Sequence, residues 1–229
     1  MSVLTPALIE RYLQLRGAAV SNAIETFGVR LRNEGFADAT LRCLFGDLPP
    51  VVGHAVTVRI RCSAPPPVGH QYRDRTDWWN FIASVPAPRI VVAQDIDERP
   101  GFGAFVGAVH ARILGALGCV AYVTNGSVRD LDSVHAQGFQ FFASGVSISH
   151  GFAHIVDFGE PVEVGGLAVA SGECLFGDRD GLTSVPAAVV PQIPDAAARM
   201  SRQEQKVFDA CAAPDFSIEH LRELLGDLE

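Results

Sequence analysis

Between residues 89 and 143, short apolar runs alternate with segments of helical period, and this alternation restricts the fold more than any other feature. Arg89–Gln94 reads as a buried strand; a helix opens between Gly103 and Gly107, runs to Leu117 and is ended by Gly118. Cys119–Val123 is a second strand, Leu131–Gln137 a short helix and Phe139–Ala143 a third strand. Short apolar strands with helices between them predict an α/β layer with a parallel section. After about residue 150 the pattern becomes short strands and turns: Ile155–Phe158, Val162–Val164, Leu167–Ala170, Cys174–Phe176 and Leu182–Val185. That rhythm predicts antiparallel pairing.

Upstream, Thr5-Pro6 before an apolar run supplies a cap and an N1 proline for a first helix, with Gly17 as its stop. A second short helix is expected from Ser21 to Phe27, and residues 29–53 read as irregular. His54–Cys62 alternates, with Val56, Val58, Ile60 and Cys62 on one face and Thr57, Arg59 and Arg61 on the other, which predicts a half-buried strand. Ser63–Pro88 reads as a long loop leading into a short helix that carries Trp78 and Trp79, and loops of that length inside a domain are often functional. The tail, Asp195–Ala210 and Ser217–Leu225, reads as helical and is expected to pack outside the core or on a neighbour.

Charge narrows the chemistry. Of the 18 basic residues in 229, only Lys206 is a lysine, and it lies in a polar helical tail. A Walker-type phosphate loop has no lysine to use, and Schiff-base chemistry has no suitable amine. A net charge of −8 argues against general nucleic-acid binding. Base composition of the genome is the simplest account of the arginine bias. Only 19% of residues are charged and 48% are hydrophobic, which suggests that other subunits cover part of the surface. Ser133–Val156 lacks Asp, Glu, Lys and Arg, but its three His, two Gln and several Ser make it unfit for lipid. No membrane partner is expected, and the N-terminus lacks the charged-then-apolar order of a signal peptide. Five widely spaced cysteines without a CxxC read as reduced thiols of a cytoplasmic protein.

Two segments carry chemistry. In residues 90–113 a strand ends in acids, a glycine-rich turn follows and a helix opens; free N–H groups at such a start suit a small carboxylate or phosphate. The alternative is glycines used only for the turn and for close packing. Gly101-Phe102-Gly103 with Gly107 has GxGxxxG spacing, which is not the dinucleotide fingerprint. In residues 120–134 a strand ends, Asn125-Gly126 turns the chain, and Arg129-Asp130 precede a helix. Arginine can bind a carboxylate in two-pronged fashion or stabilise an enolate, and Asp130 could hold Mg²⁺ beside it. An N-cap aspartate with a surface ion pair reads the same residues without function.

Four motifs stand in an order and spacing that resemble the RraA-like family. They are Gly53-His54-Ala55-Val56-Thr57-Val58, Gly107 at the helix start, Gly118 to Asp130 ending in Gly-Ser-Val-Arg-Asp, and Gly177-Asp178-Arg179-Asp180-Gly181-Leu182 running into Val185-Pro186. The likeness covers roughly residues 18–190. That family includes the 4-hydroxy-4-methyl-2-oxoglutarate/4-carboxy-4-hydroxy-2-oxoadipate aldolases and the regulators of ribonuclease activity A. The resemblance implies an α/β fold of layered β/β/α type with helical extensions, assembled as a homotrimer or a hexamer made of two trimers. It implies a divalent-metal lyase that cleaves a 4-hydroxy-2-oxo acid to pyruvate, with oxaloacetate decarboxylase activity. By the same resemblance Arg129 would contact the 2-oxo acid and its developing enolate, and Asp130 would ligate Mg²⁺ or Mn²⁺. Gly107 and the N–H groups of Val109 and His110 would bind the substrate carboxylate, and Glu204 would be the tail acid that reaches a neighbouring subunit's site. The alternative the family offers is a non-catalytic partner of an RNA-degrading enzyme. A methyltransferase label sometimes attached to such sequences finds no glycine-rich loop of the S-adenosylmethionine type here.

The chain departs from the family pattern after Gly107. An acid usually stands there, and here it is Ala108; either a neighbouring group such as His110, Asp95 or Asp97 substitutes, or the aldolase activity is weak or absent. Asn125 stands where many members have Asp. Asp130 is present, which favours the metal-binding branch over the regulators. Of the remaining candidates, His150 and His154 are expected in a polar loop, Asp178–Gly181 in a hairpin turn or lining the site, and Trp78 and Trp79 in packing or a lid.

Overall fold

In the computed structural model, which describes residues 4–67 and 76–226, the alternation becomes one mixed sheet. Its parallel core is β2 (Val51–Arg61), β3 (Arg89–Asp95), β4 (Cys119–Val128) and β5 (Gln140–Val146). The crossovers are α3 (Thr76–Ser84), α4 (Ala108–Ala116) and α5 (Leu131–His135). The short β1 (Arg42–Cys43) adds to β5 at one edge. On its other side β2 is long enough to take two antiparallel partners, β9 (Cys174–Asp178) along Val51–His54 and β6 (His154–Phe158) along Val58–Arg61. The β10 strand (Gly181–Val185) completes a hairpin with β9. The antiparallel pairing expected after residue 150 is therefore present.

Both faces of the sheet are covered, which explains why the parallel strands are apolar almost throughout. Val56, Val58, Val91, Ala93, Tyr122 and Phe141 point to the helices, where Trp78, Ile82, Ala111, Leu114 and Val134 meet them. Ala55, Ile90, Val92, Ala121, Val123 and Phe142 point the other way, onto the hairpin of β7 (Val162–Val164) and β8 (Leu167–Val169). The layers are thus hairpin, sheet and helices, the β/β/α order expected. The hairpin corrects one expectation. Thr57 does not face solvent: it is fully buried, and its hydroxyl lies 2.7 Å from that of Ser171 beside the hairpin. Arg59 on the same face is paired with Asp157, leaving Arg61 as the exposed end.

A third cluster joins the chain ends. Helices α1 (Pro6–Tyr12), α2 (Gly17–Glu25) and the first turn of α6 (Ile193–Ala212) pack Tyr12, Val20, Ile24, Ile193 and Ala197 against Val52 and Phe176. The α2 helix starts four residues before the expected Ser21. The N–H of Gly17 donates to Asp178 Oδ2 at 2.7 Å, so an aspartate 161 positions away caps the helix. A Cβ at Gly17 would lie 2.6 Å from Asp178 Oδ1. Asp178 therefore fastens α2 while Arg179-Asp180 make the hairpin turn. Beyond Met200, which still packs against this cluster, α6 lies outside the core and packs on α7 (Ile218–Gly226), as expected of the tail. No helix among the described residues is long and apolar enough to cross a membrane.

Candidate active site

Two chain segments converge where β3 and β4 end. The first leaves β3 at Asp95, loops, and enters α4 through Gly107, which has extended backbone at φ −136°. The second leaves β4 at Val128 and carries Arg129 and Asp130 into α5. The Arg129 N–H donates to Val106 O at 3.2 Å, tying the segments together. A Cβ at Gly107 would stand 2.4 Å from Asp130 Oδ2 and 2.9 Å from Arg129 Cγ, so any side chain here would displace the pair.

Asp130 is the one non-glycine residue with positive φ among those described, at φ 60° and ψ 41°. That left-handed conformation costs of order 1 kcal/mol. It turns the carboxylate away from α5, whose N-cap position Asp130 occupies without a side-chain capping bond. Oδ2 instead accepts the N–H of Ala108 at 2.9 Å and so caps α4. Arg129 Nε lies 3.8 Å from the same oxygen. The bland reading of an N-cap with a surface pair is therefore half right: Asp130 is a cap, but for the other helix. Val109 and His110 follow Ala108 in the first turn of α4, at the positive end of its dipole. Val109 is exposed, and the His110 ring stacks on Phe105 with centroids 5.6 Å apart.

A hydrogen-bonded frame holds the segments. The Asp95 N–H donates to Asn125 Oδ1 at 2.7 Å, and Asn125 Nδ2 donates to Asp95 O at 3.0 Å. Sequence reasoning missed this reciprocal pair, although the Asn-Gly at the strand end was visible. Asp95 Oδ2 accepts from Gly101 N–H at 2.8 Å, and Ser127 Oγ donates to Gly101 O at 2.9 Å. Asp97 Oδ2 accepts from the N–H groups of Cys62 and Ser63, both at 2.7 Å. Asp95 and Asp97 are thus each engaged by two backbone N–H groups. His110, the third substitute considered, packs its ring on Phe105.

These two acids respond to pH in opposite senses. Burial raises Asp95 above the usual 3.8. Burial also opposes ionisation of Asp97, but the donors of Cys62 and Ser63 and the charge of Arg61 outweigh it and hold the group below 3.8. A lowered carboxyl contributes fully above its unfolded value, and that contribution is lost as pH falls through the folded one. The urea midpoint should therefore drop on acidification below about pH 4, and Asp97→Asn should flatten that limb. An unchanged acid limb in Asp97→Asn would remove this role from Asp97.

The other candidates lie apart. Glu204 is half-buried on α6, which packs on α2 and α7, whereas α4 packs on β4 and α5; within one chain Glu204 does not join the cluster. His150 and His154 each turn Nδ1 to a nearby carbonyl, that of Gly151 at 2.6 Å and of Phe152 at 2.7 Å, from a loop and a strand start rather than a helix. Trp78 is fully buried and meets Phe105 edge-on at 5.7 Å, which makes it packing rather than lid. Tyr72–Arg75, part of the same aromatic cluster, lie outside the described residues.

Chemically, the arrangement offers a cation and helix-start N–H groups to an anion, and one carboxylate to a cation. Among the described residues no three His, Cys, Asp or Glu side chains group as a metal site. A hard ion such as Mg²⁺, which keeps several of its waters, would find in Asp130 a single protein carboxylate. The segments that flank the pair in the chain and its neighbouring strand carry an exposed apolar rim. Val146 is in register with Val128, Ser147 N–H donates to Val128 O at 3.0 Å, and Ser147 Oγ donates to Phe102 O at 3.3 Å. Phe102, Val109, Val146 and Ile148 are all exposed, Ile148 to 98%.

Comparison with known proteins adds a sequence family and a fold. The family model "RraA-like: Aldolase/RraA" matches residues 17–183. A Halalkalibacterium halodurans protein named as a 4-hydroxy-4-methyl-2-oxoglutarate aldolase is 31% identical over 71 residues, 31% of this chain and 34% of that protein. The match thus spans about a third of that relative's length. An uncharacterized Pseudomonas syringae protein superposes with a TM-score of 0.74 at 18% identity, covering 97% of this chain and 95% of that one. Streptomyces coelicolor RraAS2, described as an unusual member of the RNase ES inhibitor RraA family, does so at 0.67 and 20%, covering 88% and 95%. At such identities these two structures establish the likeness of fold alone.

Proposed function

Because this chain belongs to the RraA-like family, we propose that it is a lyase that releases pyruvate from a 2-oxo acid, with Arg129 and Asp130 as its working pair. The observation that carries this reading is the convergence of Arg129 and Asp130 on the opening of α4, where Asp130 accepts the Ala108 N–H and a side chain at Gly107 would displace the pair. A frame this tight around a half-buried arginine and a strained aspartate has little use as packing.

In this reading the N–H groups of Val109 and His110 take the substrate carboxylate, aided by the dipole of α4. Arg129, which stands against Gly107 at the same helix start, would place its fixed charge where the oxo oxygen gains negative charge as the C–C bond breaks. That charge is stronger in the transition state than in the bound substrate, which is what accelerates the step. Asp130 would hold Mg²⁺ or Mn²⁺, which when bound supplies Lewis-acid polarisation of the oxo group. No lysine amine is called for. A homotrimer, single or doubled into a hexamer, would cover the apolar rim and bring Glu204 of one subunit towards the pair of another.

The test is pyruvate release from oxaloacetate by the purified chain, taken above the protein-free rate, with excess Mg²⁺ and again with chelator. Release that needs the divalent ion is expected. No release under either condition would overturn the lyase reading and favour a regulatory protein of the ribonuclease-regulator type. Ala108, where the family's aldolases carry an acid, is the observation that gives this second reading its weight.

A further inference from the structure

We propose that this chain takes up its divalent ion together with the 2-oxo acid rather than holding the ion beforehand; the inference rests on the lyase reading above. The argument is a count of donors and charges around Asp130. Oδ2 already accepts the Ala108 N–H at 2.9 Å, leaving Oδ1 as the oxygen without a protein hydrogen bond among the described residues. The Asp130 side chain is 42% exposed, so water competes for that oxygen. Position 108, the next residue of the helix start, contributes only a methyl group. Asp95 and Asp97 each hold two backbone N–H groups, from Gly101 and Asp97 and from Cys62 and Ser63. Releasing Asp95 would leave the buried N–H of Asp97 unpaired, and releasing Asp97 that of Cys62, which opposes either swinging across.

The surrounding charge is also wrong for a bare cation. The Arg129 guanidinium lies 3.8 Å from the same carboxylate, and the positive end of the α4 dipole points at it. One carboxylate therefore faces two positive centres before any ion arrives. A 2-oxo acid reverses this balance. Its carboxylate neutralises the helix start and Arg129, and its carboxylate and oxo oxygens are additional donors for a hard ion. Ion and substrate then each strengthen the binding of the other, and linkage makes the effect equal in both directions.

Equilibrium dialysis of the full chain against Mn²⁺, with free Mn²⁺ read by its electron-spin resonance signal, tests this without turnover. Oxalate, equal on both sides of the membrane, stands in for the oxo acid. Apparent Mn²⁺ affinity should rise roughly 10- to 100-fold when oxalate is present, and Asp130→Asn should abolish the rise. Ala108→Glu should retain Mn²⁺ without oxalate, because it adds the second carboxylate on the helix. Equal affinity with and without oxalate overturns coupled uptake and leaves the lyase reading standing. So does failure of Ala108→Glu to gain affinity in a folded protein. Absence of Mn²⁺ retention in both arms also overturns the proposal, and the pyruvate assay then decides independently whether the lyase reading falls too.

Discussion

On the lyase reading, Arg129→Ala should lower kcat/KM for pyruvate release by about 10²- to 10³-fold, the loss expected when a fixed donor is removed from a developing oxyanion. The thermal midpoint should hardly move. Arg129 is a third exposed, and its contact with Asp130 is a 3.8 Å pair partly in water, which contributes well under about 1 kcal/mol. Its backbone N–H bond to Val106 survives the substitution. Arg129→Lys should recover only part of the loss, because an ammonium is a point charge and lacks the planar fork. Turnover of Arg129→Ala within a few-fold of wild type would remove Arg129 from the chemistry.

Gly107→Ala tests the frame rather than the charge. Its φ of −136° is open to alanine, so no backbone penalty arises. The added Cβ would meet Asp130 Oδ2 at 2.4 Å and Arg129 Cγ and Nε at 2.9 and 3.0 Å. The aspartate tip can swing aside, but it then leaves the Ala108 N–H, and the arginine stem must shift with it. A displacement of this size at reacting groups costs about 10²-fold in turnover. Stability should fall by only about 1 kcal/mol, or roughly 2–4 °C in the melting midpoint for a chain of this length. The signature is thus a large kinetic loss with a small thermal one. Undiminished kcat/KM would mean that the pair tolerates displacement and that the glycine serves packing alone.

Much of the architecture was legible because buried parallel strands have a plain signature. Val91 and Val92, or Phe141 and Phe142, are apolar in succession because hairpin and helices cover both faces of the sheet. The same burial misled the reading of β2. Thr57 and Arg59 look like an outer face, and only a hairpin more than a hundred residues later puts Thr57 out of water. The start of α2 was hidden for a related reason, since its acceptor is Asp178. The convergence of Gly107 with Arg129-Asp130 was legible from two strand ends followed by helix starts. That Asp130 caps the opposite helix was not, because left-handed backbone at an aspartate leaves no mark on local sequence. Nor was the engagement of Asp95 and Asp97, whose partners are backbone groups and carry no residue signature.

The cap that Asp178 provides also sets an order of events during synthesis. The first turn of α2 lacks a local acceptor, and one arrives only when residue 178 is made, 161 positions later. At about 5–20 residues per second, that is roughly 8–30 s after Gly17 has been added. Over the same interval the edge of β2 between Val51 and His54 waits for β9. The nascent chain must therefore carry an open strand edge and an unanchored amphipathic segment while the β3–β5 layer is still being made. Any slowing of translation between residues 61 and 174 would lengthen that exposure and favour association of unfinished chains.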